Sequence, residues 1–357
     1  MDSDVASPLP VPKILAEVRI SVEVRIEEFL QREIVRWRKI DSDLEIPLTA
    51  LRDFVASGGK RLRPAFCYWS FVGAGGDPDD LAVIDVGASL EMLHTFALIH
   101  DDVMDGSDRR RSQPSIHARF IQSHADNDWK SEGRRFGEGA AILIGDLALI
   151  YADMLFDERD KITRSIYDEL RIELCVGQYL DLTGAVESSV DPIKAARIEE
   201  YKSGKYTVER PLHLGAALAN RFDDLNEPLS AVGLPLGAAF QLRDDLLGVF
   251  GSAATTGKPV GDDLREGKLT PLVAMAAARA DAGGLKILNR IGQRNLEAEE
   301  ILLIQDILVS TGATVAVETE IKRLAKQAMT ALAEAPILAS AREALRELGN
   351  YVAWRDH

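Results

Sequence analysis

A chain of 357 residues, 46% of them apolar and 6% aromatic, has enough apolar mass for one large domain or two average ones. With 57 acidic residues against 42 Lys and Arg, the formal net charge is −15, which excludes nucleic-acid binding through a basic surface and leaves room only for a local basic pocket. The two cysteines, Cys67 and Cys175, lie far apart among apolar neighbours, which excludes a disulfide scaffold or a zinc cluster and suits a reducing cytosol.

Residues 1–12, with Pro8, Pro10 and Pro12, read as a flexible arm, and residues 13–357 as a single helical domain. Ile14, Val18, Val22, Ile26 and Leu30 recur every fourth residue and predict the first helix. Gly58-Gly59 leads into Lys60, Arg61 and Arg63 at the start of another helix, where a helix N-terminus favours phosphate and an i, i+3 spacing turns Lys60 and Arg63 the same way. Leu81, Ile84, Ala88 and Met92 give the next helical face, followed by Ala140 to Phe156, Ile166 to Leu182, Val208 to Ala219 and Val232 to Phe250. Leu302, Ile307, Val315, Leu324, Met329 and Leu332 close the pattern. Runs of β-branched and aromatic residues with period two are absent, so no sheet is expected. The fold class is all-α, with long helices around a central cavity. Ala140 to Phe156 carries Asp146 and Asp153 and falls short of the ~20 apolar residues of a membrane helix. Met1-Asp2-Ser3-Asp4 leads into no apolar targeting run, so the expectation is a cytoplasmic protein that is not integral to a membrane.

The densest chemistry is His100-Asp101-Asp102-Val103-Met104-Asp105. Asp101 and Asp105, four residues apart, share a helix face about 6 Å apart, with Asp102 about 100° round. Carboxylates this close repel, and a helix C-terminus disfavours them further, so a cation must compensate. Arg109, Arg110 and Arg111 are one source, and Mg²⁺, which takes oxygen ligands and substrate phosphates, is the other. Phe240-Gln241-Leu242-Arg243-Asp244-Asp245 repeats the pattern ahead of a loop bearing Lys258 and Lys268, with Asp262 and Asp263 between them. Two acidic helix ends read as two walls of one site in which Mg²⁺ bridges a diphosphate. Tyr201-Lys202-Ser203-Gly204-Lys205 is a further basic turn. His94, two helical turns before Asp101, shares its face, with a hydrogen-bonded core histidine as the alternative. No GxxxxGK[ST] loop is present, so a nucleoside triphosphatase is not indicated.

Gly58-Gly59-Lys60-Arg61-Leu62-Arg63-Pro64, Asp101 to Asp105 with Arg110-Arg111, and Phe240 to Asp245 followed by Gly257-Lys258 resemble the trans, head-to-tail isoprenyl diphosphate synthases, most of all a geranylgeranyl diphosphate synthase. The resemblance implies the isoprenoid-synthase fold, a homodimer and three Mg²⁺ ions per site. By position, Asp101, Asp102, Asp105, Asp244 and Asp245 match metal-associated carboxylates. Arg110, Lys202, Ser203, Gln241, Lys258 and Lys268 match contacts to the allylic diphosphate, and Lys60, Arg63, His94 and Arg111 the isopentenyl diphosphate pocket. Gln178 and Asp181 match a polar pair of the cavity lining. The implied reaction condenses isopentenyl diphosphate with dimethylallyl, geranyl or farnesyl diphosphate. Mg²⁺ draws off the allylic diphosphate, the alkene attacks the allylic carbocation, and a proton passes to the departing diphosphate; Lys202 and Gln241 line that chemistry.

The sequence departs from the family pattern at three places. Gly248 stands where the second motif usually has its last aspartate, so a carboxylate is lost unless Asp262, Asp263 or water replaces it. Ser112 replaces a usual glycine, and Lys202-Ser203 a usual Lys-Thr pair. Phe96, about 7.5 Å upstream of Asp101 on the helix, then small Ala97, with Leu93 a turn deeper, resembles the floor of a C20 synthase. A C15 or longer product is the alternative, as are a class I terpene cyclase and a non-catalytic partner subunit. Against the cyclase stand the absence of its N-D-x-x-S-x-x-x-E segment and the presence of Lys60 and Arg63.

Overall fold

The structure is a computed structural model that describes residues 11–157, 159–187, 192–251, 261–268, 270–293 and 295–355. Its contacts gather into two compact units, although the composition does not change between them. One comprises Lys13–Tyr68 and Pro78–Arg159; the other comprises Trp69–Asp77 and the chain from Asp160 on.

The first unit opens on α1 (Lys13–Arg38), whose inward stripe is Leu15, Val18, Val22, Ile26, Leu30 and Ile34, as the four-residue recurrence predicts. Helix α2 (Glu45–Ala56) follows, then the start of α3 (Leu62–Gly73), then α4 (Leu81–Asp105). The Asp80 carboxylate caps α4 by accepting from the Ala82 N–H at 2.8 Å. Gly106, at φ 64, ends it in the left-handed conformation that glycine permits. Helices α5 (Ile116–Asp126) and α6 (Gly133–Phe156) complete the unit. Helix α6 lies close along α4. The Ser89 hydroxyl donates to the Ala152 carbonyl at 2.7 Å, and a Cβ on Gly145 would overlap the His100 ring.

Two expectations need correction here. A short antiparallel ladder joins β1 (Arg109–Arg110) to β2 (Gln113–Pro114). Its two-residue turn is Arg111-Ser112, both at positive φ (51° and 63°), the backbone of a type I′ hairpin. Four residues are too few to leave a period-two signal. Helix α6 also starts at Gly133 rather than Ala140 and, like α4, is long and apolar enough to cross a membrane by length and composition. Two thirds of the apolar window of α4 is buried inside the protein, against 44% for α6.

The second unit holds α7 (Lys161–Glu187), α8 (Pro192–Glu199), a π-helical segment (Glu200–Glu209), α9 (Arg210–Leu218) and α10 (Phe222–Phe250). Then come α11 (Asp262–Glu266), α12 (Pro271–Ala277), α13 (Ala282–Leu288), α14 (Ala298–Ser310), α15 (Ala313–Glu334) and α16 (Ala339–Trp354). Ala239, Leu242, Leu246 and Val249 of α10 pack with Leu264, Ile304, Val317 and Ile321 in one core. The π-helical segment is pressed between α7 and α10, and glycines make room for it. A Cβ on Gly177 would lie 2.5 Å from the Lys202 nitrogen, and one on Gly237 2.5 Å from the Gly204 carbonyl oxygen. An i→i+5 turn is rare and concentrates at functional sites; here it carries Lys202 and Ser203.

Candidate active site

The first unit carries a cationic pocket beside the first aspartate motif. Gly58 and Gly59 have φ of 112° and 145°, values only glycine adopts readily. A Cβ on Gly59 would come within 2.9 Å of Arg61 Nη1 and 3.0 Å of Arg111 Nη2. The glycines thus open room for guanidinium groups, and Arg111 donates to the Gly58 carbonyl. The hairpin turn is what swings Arg111 back to this point. Lys60 and Arg61 precede α3, with Arg61 at φ 53, so a common helical face for Lys60 and Arg63 does not apply. Arg61 turns inward, 3% exposed, where it donates to Glu91 at 2.7 Å and Glu23 at 3.2 Å. Lys60 and Arg63 remain half-buried on either side of it.

The electrostatics of this cluster are unusual. Burial and the neighbouring Arg61 push the Arg111 guanidinium down to about 10, with Arg110 and Arg63 adding to the shift. Burial, then Arg63, Arg111, Arg110 and Arg61, hold His94 well below the ordinary histidine value, so it is neutral. Glu91 and Glu23 pair with Arg61, but the guanidiniums around it still repel one another, and a diphosphate satisfies several guanidinium forks at once.

At the end of α4 the three aspartates separate by environment. Asp101 and Asp105 are half-buried, whereas Asp102 is 1% exposed. Arg110 donates to Asp102 at 2.7 Å and stands 3.6 Å from Asp101. Asp102 therefore anchors Arg110, while Asp101 and Asp105 are less deeply buried. A turn upstream, the Phe96 ring stands edge-on to His100 with centroids 4.8 Å apart, and Leu93 is buried. The His100 Nε2 bonds the Ile142 carbonyl at 3.1 Å. That partner of Phe96 carries no signature in the sequence apart from Gly145 opposite it.

The second unit repeats the arrangement on α10. Asp245 is 4% exposed and accepts from Gln241 Nε2 at 2.8 Å, while Asp244 keeps a carboxylate 43% exposed. Lys202 Nζ reaches the Asp181 carboxylate of α7 at 2.5 Å, which orients the ammonium of the π-helical segment. Gln178 and Ser203 are half-buried in the same two elements. Lys268 donates to Asp263 at 3.0 Å and pairs with Glu266 at 2.6 Å. Gly248 faces Asp263, whose carboxylate fills the space a Cβ would need. Asp263, one of the replacements considered for the missing aspartate, stands at that position. Lys258 lies outside the described residues, and so does the Asp262 side chain. Sequence reasoning missed Arg355, which is 1% exposed and donates to Asp244.

Among the described residues no three His, Cys, Asp or Glu side chains converge into a self-sufficient metal site. Asp101 and Asp105 in the first unit, and Asp244 in the second, supply hard carboxylate oxygens. Donors of this kind suit Mg²⁺, which is held by one or two carboxylates and completed by substrate phosphates and water.

The family model for polyprenyl synthetase matches residues 45–308, a span that holds both aspartate motifs and the cationic pocket. The chain belongs to the polyprenyl synthetase family. This polyprenyl synthetase is 32% identical to a short chain isoprenyl diphosphate synthase of Methanothermobacter thermautotrophicus over 336 residues, 90% of this chain and 95% of that one. It is also 32% identical to a geranylfarnesyl diphosphate synthase of Aeropyrum pernix, over 84% of this chain and 92% of the relative. Among solved structures, a geranylgeranyl pyrophosphate synthase of Corynebacterium glutamicum, complexed with isoprenyl diphosphate and magnesium, superposes with a TM-score of 0.91 at 34% identity, covering 97% of this chain and all of that one. The fold is the all-α isoprenoid-synthase fold, and the protein is a trans-prenyl diphosphate synthase, a transferase.

Proposed function

We propose that this synthase makes a C20 product, geranylgeranyl diphosphate, by adding isopentenyl diphosphate to dimethylallyl, geranyl and farnesyl diphosphates in turn. The observation that carries the reading is the Phe96 ring, braced edge-on by His100 a turn upstream of Asp101, with small Ala97 next to it and Leu93 buried behind. A braced ring sets a firm floor, and the small neighbour leaves depth for more than three isoprene units.

In this reading Lys60, Arg63 and Arg111 bind the isopentenyl diphosphate, and neutral His94 offers it a hydrogen bond without adding to the crowded charge. Arg110, oriented by Asp102, and Lys202, oriented by Asp181, hold the allylic diphosphate, with Ser203, Gln241, Lys258 and Lys268 as further contacts. Asp101, Asp105 and Asp244 hold the divalent ions, taken as three Mg²⁺, and Asp102 and Asp245 support them. Bound Mg²⁺ supplies charge neutralisation to the departing diphosphate. The Lys202 ammonium adds to that neutralisation, and the Gln241 amide presents its oxygen dipole to the developing cation. The reading includes a homodimer in the cytoplasm, supported by the free cysteines Cys67 and Cys175 and by the exposed apolar face of α6.

The test is incubation with isopentenyl diphosphate, Mg²⁺ and each allylic primer, with product length read by mass spectrometry. The expected product is C20, and Phe96→Ala is expected to lengthen it, at some cost in stability from the cavity left behind. A C15 or C25 product from the wild-type enzyme overturns the C20 reading, and an unchanged length in Phe96→Ala removes Phe96 as the floor.

A further inference from the structure

We infer that Arg355 is a positioning residue for the second aspartate motif, tying one oxygen of Asp244 so that the other is presented to a divalent cation. The inference rests on the reading of Asp244 as a metal ligand.

Arg355 follows α16 and is 1% exposed, an uncommon burial for an arginine. Its guanidinium lies over the Phe240 ring, 4.2 Å from the centroid. Nη1 donates to the Val352 carbonyl at 3.1 Å, and Nη2 donates to Asp244 Oδ1. Neighbouring contacts fix the same junction. Arg243, beside Asp244 on α10, donates to the Ala353 carbonyl at 3.0 Å and to both oxygens of Glu318 at 2.7 and 3.0 Å. The segment that delivers Arg355 is therefore tied to α10 through Phe240, Arg243 and Asp244.

This arrangement has the form of an outer-shell partner, which orients a ligand through the atom the metal does not use. The Asp244 side chain stays 43% exposed, so its tie to Arg355 does not enclose the carboxylate. A competing effect exists, because a guanidinium beside the ligand repels an incoming cation. Arg355 is 1% exposed and in contact with the carboxylate, so salt screens that repulsion little. The guanidinium is fixed by Phe240 and Val352 and already neutralised in part by Asp244 itself. The sign of the change in metal affinity therefore decides between orientation and repulsion.

The test titrates Mn²⁺ into the full-length protein with inorganic diphosphate present and reads bound metal by electron paramagnetic resonance, beside the Mg²⁺ dependence of turnover. Arg355→Gln is expected to weaken Mn²⁺ binding about tenfold or more. It is also expected to raise the Mg²⁺ concentration for half-maximal rate to match, with kcat at saturating Mg²⁺ little changed. Arg355→Lys, which keeps the charge over Phe240 and one donor, is expected to recover part of the loss. A purely structural role would lower the melting temperature and leave the metal titration alone. Mn²⁺ affinity that is unchanged or tighter in folded Arg355→Gln and Arg355→Lys overturns the inference. Asp244→Asn separates the two layers. If it loses metal while Arg355→Gln does not, only the positioning role fails. If it binds metal normally, the ligand reading fails with it.

Discussion

Arg63 and His94 show how one pocket uses charge and its absence. Arg63 stands in a cluster where burial first, and then repulsion from neighbouring guanidiniums, depresses Arg111, so a bound diphosphate relieves that repulsion as well as adding contacts. Arg63→Ala is expected to raise the KM for isopentenyl diphosphate by the worth of a charge-assisted bond, about 1.5–3 kcal/mol or roughly 10- to 150-fold. The KM for the allylic primer should move far less, and steady-state kinetics with each substrate varied in turn checks this. Equal effects on both would place Arg63 in the other pocket. His94 gives a pH signature. Its folded pKa is depressed by burial and by the surrounding arginines, so the folded chain keeps it neutral while the unfolded chain protonates it below about 6.5. The unfolded state then binds more protons, and stability falls as pH drops from about 6.5, by up to about 1.4 kcal/mol per pH unit for this group. His94→Gln, which cannot charge, is expected to flatten that acid limb. Melting temperatures between pH 5 and 8 for the two proteins provide the comparison; parallel curves would show that His94 does not carry the effect.

At the scale of elements, the turn between β1 and β2 places a serine at φ 63, where glycine fits without penalty. Ser112→Gly is expected to stabilise the protein by about 0.5–1 kcal/mol, the αL penalty less the entropy glycine adds to the unfolded chain. Activity should be retained, because Arg111 keeps its direction. Urea unfolding at neutral pH measures the gain, and a loss of stability would mean that the serine hydroxyl contributes more than the backbone strain costs. The same hairpin marks the limit of what the sequence discloses. The long helices were legible because Leu15 to Ile34 and the corresponding stripes bury one face at helical spacing. The motif residues were legible because Asp101, Asp105 and Asp244 need a fixed residue type at a fixed spacing. The hairpin was not, since its signal is two positive φ values at Arg and Ser rather than at glycine. The π-helical segment was equally hidden: an i→i+5 turn shares the composition of an α-helix, and only the glycines at 177, 233 and 237 hint at the space it takes. Asp263 against Gly248, and Arg355 on Asp244, are juxtapositions of distant residues and leave no local pattern.

At the scale of the molecule, α6 poses the question of what covers it. Leu143, Ile150 and Met154 share one helical face and are 65, 54 and 47% exposed, with Ile142 beside them. A lipid bilayer is a poor match for that face, because Asp146 stands within it with 53% of its side chain exposed and its carboxylate 3.7 Å from His100 Nε2. An aspartate near the middle of a membrane helix costs about 2.5–3.5 kcal/mol. Another protein surface offers apolar contact for the leucine and isoleucines while leaving the carboxylate a polar partner or water. A second copy of the chain meets these demands by two-fold symmetry, since an isologous contact sets the same patch against itself. The expected solution species is therefore a dimer of twice 39.1 kDa. Leu143→Lys combined with Ile150→Lys should convert it to a monomer at micromolar concentration, because two like charges on each face would meet their own copies across the axis. Sedimentation velocity distinguishes the two masses. A double variant that sediments as the dimer would show that α6 is not the contact, and the apolar face would need a different partner.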